Sequence, residues 1–400
     1  MSQTILNEET SSTPLGKNFP LISLALGTFA QVTAEFLPVG VLPDVACAFS
    51  ISEGHAGLMM TLPGLLAAIA APGVMFVAGK TDRRNVLLFL GAMLLASSLT
   101  SMFAPNFGVM LVGRAMLGIS LGASWALALA VAGRLVTPSL IHKAAAIVFA
   151  GVTAAMILGV PLGSWISETL NWRVAFAASA ALALVALVMQ WASLPNLPST
   201  ASLTPRALTT FLRNRRAVFS IGLILLVFAS HFATYTFVSL CLNDAGVHGH
   251  AITWTLLAFG VAGLAANHLA SIAVAKHLKT TLILALAMMA IVQLALPALS
   301  SGTARVALVI AWGAAWGAIP LCMNMWHREA PGGHSEAGSA LFTTFVQVAI
   351  AVGSAGGGFL VDTAGLSVAY TAPAALVVIA IVSVAAARLQ KVSQQVCGRA

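Results

Sequence analysis

Residues 195–216 read PNLPSTASLTPRALTTFLRNRR, the only sizeable polar interruption inside a chain of 400 residues. Pro195, Pro198 and Pro205 oppose a continuous helix, since proline lacks the amide that a helix needs. Arg206, Arg213, Arg215 and Arg216 make the segment too costly to bury in hydrocarbon. Working outward from it, each flank resolves into six apolar runs. A helix needs about 20 apolar residues to cross a bilayer core. The runs lie near 19–44, 55–78, 85–104, 107–135, 142–166 and 172–194 on one side. On the other they lie near 217–241, 250–275, 281–300, 304–326, 337–361 and 366–388. The expected fold is all-α integral membrane, with twelve transmembrane helices in two pseudo-symmetric six-helix bundles. Its parts are a tail at 1–18, a bundle at 19–194, the linker 195–216, a second bundle at 217–388 and a tail at 389–400.

Composition supports the bilayer as solvent. The chain is 59% hydrophobic and 8% charged, against about half apolar and one quarter charged in soluble domains. Its +8 net charge accompanies no basic stripe or aromatic platform of a nucleic-acid binder, so no nucleic-acid partner is expected. The basic residues fall in the gaps between runs. With both termini in the cytoplasm, cytoplasmic segments collect sixteen of the nineteen Lys and Arg residues, Arg173 and Arg305 fall outside, and Arg114 remains within a span. That asymmetry is the positive-inside pattern. Residues 1–20 hold no short apolar core before a cleavage site, so no signal peptide is expected. A multi-pass membrane protein in contact with lipid follows as the expectation; a monomer of the bacterial cytoplasmic membrane is what the family resemblance below adds.

The two halves resemble copies of one another. Gly118xxxGly122 in the fourth span has a counterpart in Gly313xxxGly317 of the tenth, offset 195. Gly159xxxGly163 in the fifth matches Gly353xxxGly357 in the eleventh, offset 194, as Cys47 matches Cys241. Ala34-Glu35-Phe36 aligns with Ser230-His231-Phe232, offset 196. Parallel six-helix repeats are a transporter signature. Small residues four apart let helix backbones approach closely, whether the helices move or are packed statically.

Two charges sit deep within the spans, Glu35 and Arg114. Such a charge costs roughly 2.5–3.5 kcal/mol on insertion scales. Both lie roughly 10–14 Å below the outer end of their helices, at 1.5 Å per residue, so they share a layer. Glu35 is a candidate proton carrier, with Arg114 as a counter-charge or substrate anchor; a permanent structural ion pair is the alternative. His231, at the repeat position of Glu35, is either a second titrating group or a neutral structural histidine. Phe36, Trp125, Phe232, Tyr235, Trp312 and Trp316 are candidates for an aromatic pocket wall. Asn267, Asn324 and Gln347 are candidate polar cavity groups. Cys47, Cys241, Cys322 and Cys397 form no CxxC pair, so no metal site is expected. The repeat would bring Cys47 and Cys241 near the outer ends of their helices, where an oxidising compartment could link them. No phosphate-binding GxxxxGK[ST] loop and no catalytic constellation stands out, so neither a cofactor nor an enzyme is expected.

The residues together resemble the major facilitator superfamily. They are Glu35-Phe36-Leu37-Pro38-Val39, Thr81-Asp82-Arg83-Arg84, Gly113-Arg114-Ala115, Pro161-Leu162-Gly163-Ser164 and Trp172-Arg173, then Ile310-Ala311-Trp312-Gly313 through Asp362. The likeness covers residues 20–390 and is nearest the twelve-helix proton-antiport group that includes sugar, arabinose-type and purine ribonucleoside efflux transporters. It implies rocker-switch export of a small solute against protons, with symport or facilitated uptake on the same fold as the alternative and a non-transporting membrane sensor as a further one. It implies a cytoplasmic gate at Asp82, Arg83 and Arg84, proton coupling at Arg114 with Glu35, and an antiporter motif at Gly159, Pro161 and Gly163. Val160 separates Gly159 from Pro161, which are adjacent in the usual motif.

Overall fold

A computed structural model describes residues 14–77, 79, 81–137, 140–198, 212–329 and 336–387. Its helices are α1 (Pro14–Phe49), α2 (Glu53–Ala56), α3 (Leu58–Val77), α4 (Arg83–Met102), α5 (Phe107–Arg134), α6 (Ile141–Thr169) and α7 (Trp172–Ser193), and then α8 (Arg215–Tyr235), α9 (Val238–Asp244), α10 (His250–Ala295), α11 (Gly302–Arg328) and α12 (Glu336–Ala386). Asn106, Asn171 and Asn214 cap α5, α7 and α8 through side-chain oxygens, which offsets amides left open at a helix start.

Eleven of these helices or helix segments are long and apolar enough to cross a membrane. The last apolar segment, Ala340–Ala386, runs for 47 residues, about twice what one crossing requires. It bends at Gly365, whose φ of 82° suits glycine and few other residues. One crossing on each side of that bend brings the count to twelve. α10 bends likewise at His277, within the gap expected between residues 275 and 281. The expected seventh span, 217–241, is instead α8 followed by the short α9, with Thr236 and Phe237 between them.

The internal repeat is visible in the packing. Residues Gly118 and Gly122 of α5 lie on Pro63 and Ala67 of α3 so closely that no side chain would fit. Gly313 and Gly317 of α11 lie in the same way on Phe259 and Gly263 of α10. Both partner pairs are offset by 196 (63 to 259, 67 to 263). In α6, Gly159 and Gly163 face Thr33 and Leu37 of α1, and in α12 Gly353 and Gly357 face Ala229 and Ala233 of α8, again offset by 196. The glycine pairs thus fasten helices within each bundle. Twelve antiparallel crossings put residue 14 and residue 387 at one end of the molecule, the terminal end; the other is the distal end.

At the distal end the bundles are tied together. Asp362 accepts hydrogen bonds from Ser52 Oγ at 2.7 Å and from the Gly54 amide at 3.0 Å, while Glu168 of α6 pairs with His250 of α10 at 3.1 Å. Deeper in, Ser239 donates to the Val39 carbonyl at 2.8 Å. Pro43, four residues on, has no amide to offer that carbonyl, so a side chain from the other bundle supplies the donor.

Candidate functional site

Arg114 is buried in α5 and points between α1 and α3. It donates from Nε to Met59 O at 2.8 Å, from Nη1 to Ala34 O at 2.7 Å and from Nη2 to Glu35 O at 2.9 Å. Two of these carbonyls are open for a reason written in the sequence. Pro38 and Pro63 stand four residues after Ala34 and Met59, and a proline cannot complete the helical hydrogen bond to either. A carbonyl left bare in hydrocarbon costs several kcal/mol. The guanidinium, with its donors spread across one plane, closes both gaps.

The consequence for Glu35 is that the structural ion pair weighed as the alternative is absent. The ion pairs among the described residues are His250–Glu168 and Arg305–Asp244. Arg114 holds the backbone of Glu35, and the carboxyl reaches the opposite bundle, where Oε1 accepts from Gln347 Nε2 of α12 at 3.2 Å. Both side chains are buried. Gln347, first considered for substrate contact, therefore faces Glu35. In the second bundle the corresponding network is neutral: Gln293 Nε2 donates to Ser230 O and to Thr234 Oγ1, and Ser230 Oγ donates to Pro373 O.

Next to Glu35, Phe36 stacks on Phe232 with ring centres 5.7 Å apart and planes 10° apart. The two are repeat equivalents, so the stack joins the two bundles where their pseudo-symmetric positions meet. Beside it lies a cavity of about 160 Å³. Phe36 of α1, Met156 and Ile157 of α6, His231, Phe232 and Tyr235 of α8, Phe259 and Asn267 of α10, and Trp316 of α11 line it. Thr153, Leu264, Pro320 and glycines 260, 263, 313 and 317 complete the wall. Asn267 Nδ2 donates to Gly317 O at 2.9 Å.

His231 is enclosed by rings. It stacks on Trp316 at 3.4 Å and 2° and on Tyr235 at 5.0 Å and 18°, with Trp312 and Phe232 edge-on at 5.2 and 4.9 Å. Neither of its ring nitrogens has a hydrogen-bond partner, and neither does Trp312 Nε1, which is also buried.

The remaining candidates are placed elsewhere. Trp125 packs on Phe149, with centres 6.1 Å apart, away from the cavity wall. Asn324 is half-buried on α11, beyond the lining. Trp312 is fully buried behind the lining. Asp82 caps α4 by accepting from the Arg84 amide and also holds the Leu197 amide. The Arg83 amide donates to Leu197 O, and Arg84 Nη2 donates to Trp191 O. This trio therefore fastens the α3–α4 turn to the end of α7 within the first bundle. Pro161 lies inside α6 between the two glycines that meet α1. Cys47 and Cys241 are both free thiols, the first exposed and the second buried, so no disulfide joins these two. Cys397 and linker residues 199–211 fall outside the described residues. Sequence reasoning did not single out Gln293, Ser239 or the Ser52–Asp362 contact, because each acts through a carbonyl or side chain distant along the chain.

A family model described as Major Facilitator Superfamily matches residues 24–243. Over 366 residues the chain is 32% identical to "Transcription regulatory protein OpdE" of Pseudomonas aeruginosa, covering 90% of this chain and 91% of that one. Over 349 residues it is 30% identical to "Purine ribonucleoside efflux pump NepI" of Shigella sonnei, covering 87% and 88%. Among solved structures, a bacterial homolog of the human lysosomal transporter Spinster, inward-facing and unoccupied, superposes with a TM-score of 0.74 at 14% identity, covering 93% and 97%.

Proposed function

The chain belongs to the Major Facilitator Superfamily, and from that premise we propose that it exports a small solute in exchange for protons by alternating access. One observation carries this reading: Glu35 is buried where the bundles meet, with no cation in salt-bridge contact and a hydrogen bond to Gln347 across the boundary. A carboxyl so placed can take and lose a proton as the bundles part and rejoin. Were it locked to Arg114, the charge would be permanent. Arg114 is instead engaged with backbone carbonyls and keeps α1 and α3 at a fixed spacing beside the carboxyl.

The rest of the cycle follows from the contacts. Ser52–Asp362 and Glu168–His250 close the distal end, which the charge pattern assigns to the outside. The solute therefore enters the cavity from the cytoplasmic, terminal end. Protonation of Glu35 removes a charge from the boundary and lets the bundles rock about the Phe36–Phe232 stack. Asp82, Arg83 and Arg84 keep the α3–α4 turn in shape at the terminal end, and the α1–α6 contact at Gly159 and Gly163 keeps those two helices moving together. The efflux name of the Shigella relative supports the outward direction.

Inside-out vesicles with an imposed proton gradient test the proposal. Flux driven by the gradient is expected in the native protein. Glu35→Gln, which keeps the shape and a polar contact to Gln347, is expected to bind solute and to lose at least tenfold of gradient-driven flux. Equal flux in the variant, or equal flux without the gradient, would sink the coupling. The regulatory name of the Pseudomonas relative motivates a second reading, a membrane sensor without flux. Saturable binding with no movement of bound solute in either orientation would favour it.

A further inference from the structure

Glu35 needs a way to exchange its proton, and the aromatic-walled cavity does not offer one. Neither Glu35 nor Gln347 lines that cavity, and Glu35 is 4% exposed. A second cavity lies inside the first bundle, on the terminal side of Glu35. Its volume is about 20 Å³, and its wall comes from α1, α4, α5 and α7. Most of the lining is apolar, but Thr28, Gln31, Ser124 and Gln190 are polar. A water needs about 10–15 Å³ and two to four polar partners, so this space is wide enough and polar enough for one.

Gln31 supplies the second, independent observation. It is buried, it lines this cavity, and its Oε1 has no hydrogen-bond partner. A buried amide oxygen without a partner calls for an explanation. A half-turn about the last bond exchanges the oxygen and nitrogen of the amide, so either end can meet a water in the cavity. Thr28, Gln31 and Glu35 stand at i, i+3 and i+7 and so share one face of α1. Gln31 is one turn from Glu35, a spacing at which helix side chains are neighbours. Toward the terminal end the polar groups continue. Gln190 Nε2 donates to Ser23 O at 3.3 Å, and Ser193 Oγ donates to Ser23 Oγ at 2.9 Å. Ser23 lies about 18 Å from Glu35 along α1, at 1.5 Å per residue. Ser193 is half-buried at the end of α7, so the file reaches the terminal end.

We infer that this cavity holds an ordered water, positioned by Gln31 and Ser124, and that protons pass between Glu35 and the terminal end through it rather than through the aromatic-walled cavity. The inference rests on the proton-exchange reading of Glu35 and specifies the proton's route. Only a proton is transferred: each oxygen along the file takes one and passes one on, so every carrier ends as it began. Arg114, the charged group beside Glu35, takes no part, since backbone carbonyls hold its donors. Proton and solute therefore use separate passages.

Infrared spectroscopy of the purified full chain at acid pH tests it with water as the probe. The C=O stretch of protonated Glu35 is identified by its loss in Glu35→Gln, and its shift on transfer to D2O times the exchange of that proton. Gln31→Leu removes the amide and is expected to slow the exchange at least tenfold. Gly91→Ala fills the cavity without touching Gln31. Its methyl would lie 3.1 Å from Leu187 Cδ1, the free end of a side chain, and 3.7 Å from Gln190 Oε1, and alanine favours the helix. It is expected to slow the exchange at least tenfold as well. Gln31→Asn, which keeps an amide, should stay within a few-fold of the native rate. Native rates in Gln31→Leu and Gly91→Ala would overturn the inference, and so would an equal slowing in Gln31→Asn, which would mean packing rather than water. Failure of the transport reading is separable. Slowed exchange in these variants, with no gradient-driven flux in the native protein, sinks transport and leaves the route. Gradient-driven flux in the native protein, with unchanged exchange in the variants, sinks the route and leaves transport.

Discussion

Arg114 shows how a single residue can be misjudged from its charge. Its depth matches that of Glu35, which suggests a counter-charge, a substrate anchor or a permanent ion pair. The structure gives its donors to carbonyls that Pro38 and Pro63 leave open. This account makes a testable distinction. Arg114→Lys keeps the charge but concentrates its donors on one nitrogen, which cannot serve α1 and α3 together. Each carbonyl left unpaired costs about 1–3 kcal/mol, so a clear fall in the melting temperature in detergent is expected. Pro63→Ala restores an amide opposite Met59 O and should return part of that loss in the double variant. A lysine variant as stable as the native protein would mean that charge alone is what the site requires. His231 carries the complementary lesson. Its repeat position drew attention to it, but the ring stack around it depends on residues up to 85 positions away.

Between helices, spacing is set by glycine at four equivalent contacts. Gly356 and Gly357 are neighbours on α12 with opposite surroundings. A methyl at Gly357 would strike the backbone at Ala233, while one at Gly356 meets open space. Gly357→Ala is therefore expected to destabilise the α8–α12 contact by about 1–3 kcal/mol, in the range of overpacked cores. Gly356→Ala is expected to be neutral or to stabilise by up to about 1 kcal/mol through helix propensity. Thermal denaturation of the two variants side by side checks this, and equal effects would contradict the packing. The glycine pairs were visible in sequence because their four-residue spacing is a local property. Which helix each one meets was not, since that depends on the bundle's arrangement in space.

For the molecule as a whole, alternating access requires the distal ties to break in each cycle. Ser52→Cys with Asp362→Cys places two thiols where the side chains now hydrogen-bond. Oxidation is expected to stop flux by at least tenfold and reductant to restore it, measured in the same vesicles. Undiminished flux with the cross-link formed would show that the distal end need not open. The Glu168–His250 pair is also exposed, and exposed ion pairs contribute little, about 0–1 kcal/mol. Glu168→Gln should therefore leave the melting temperature nearly unchanged.

The sequence by itself determined the solvent, the number of crossings and the two-bundle plan. Apolar length, charge asymmetry and the offset near 195 are properties of composition and spacing along the chain, and a bilayer leaves a backbone of helices few alternatives. Even the deep charges could be named in advance. Tertiary structure alone decided their partners. Whether Arg114 meets a carboxylate or a carbonyl, whether Trp125 and Asn324 face the cavity, and how His231 comes to lie between Trp316 and Tyr235 all depend on rotation of each helix about its axis. That rotation is set by side chains packing across bundles, so no single stretch of the chain encodes it. The linker at 195–216 divides the chain into two parts, and the meeting of those parts at Glu35, Gln347 and the Phe36–Phe232 stack creates the site.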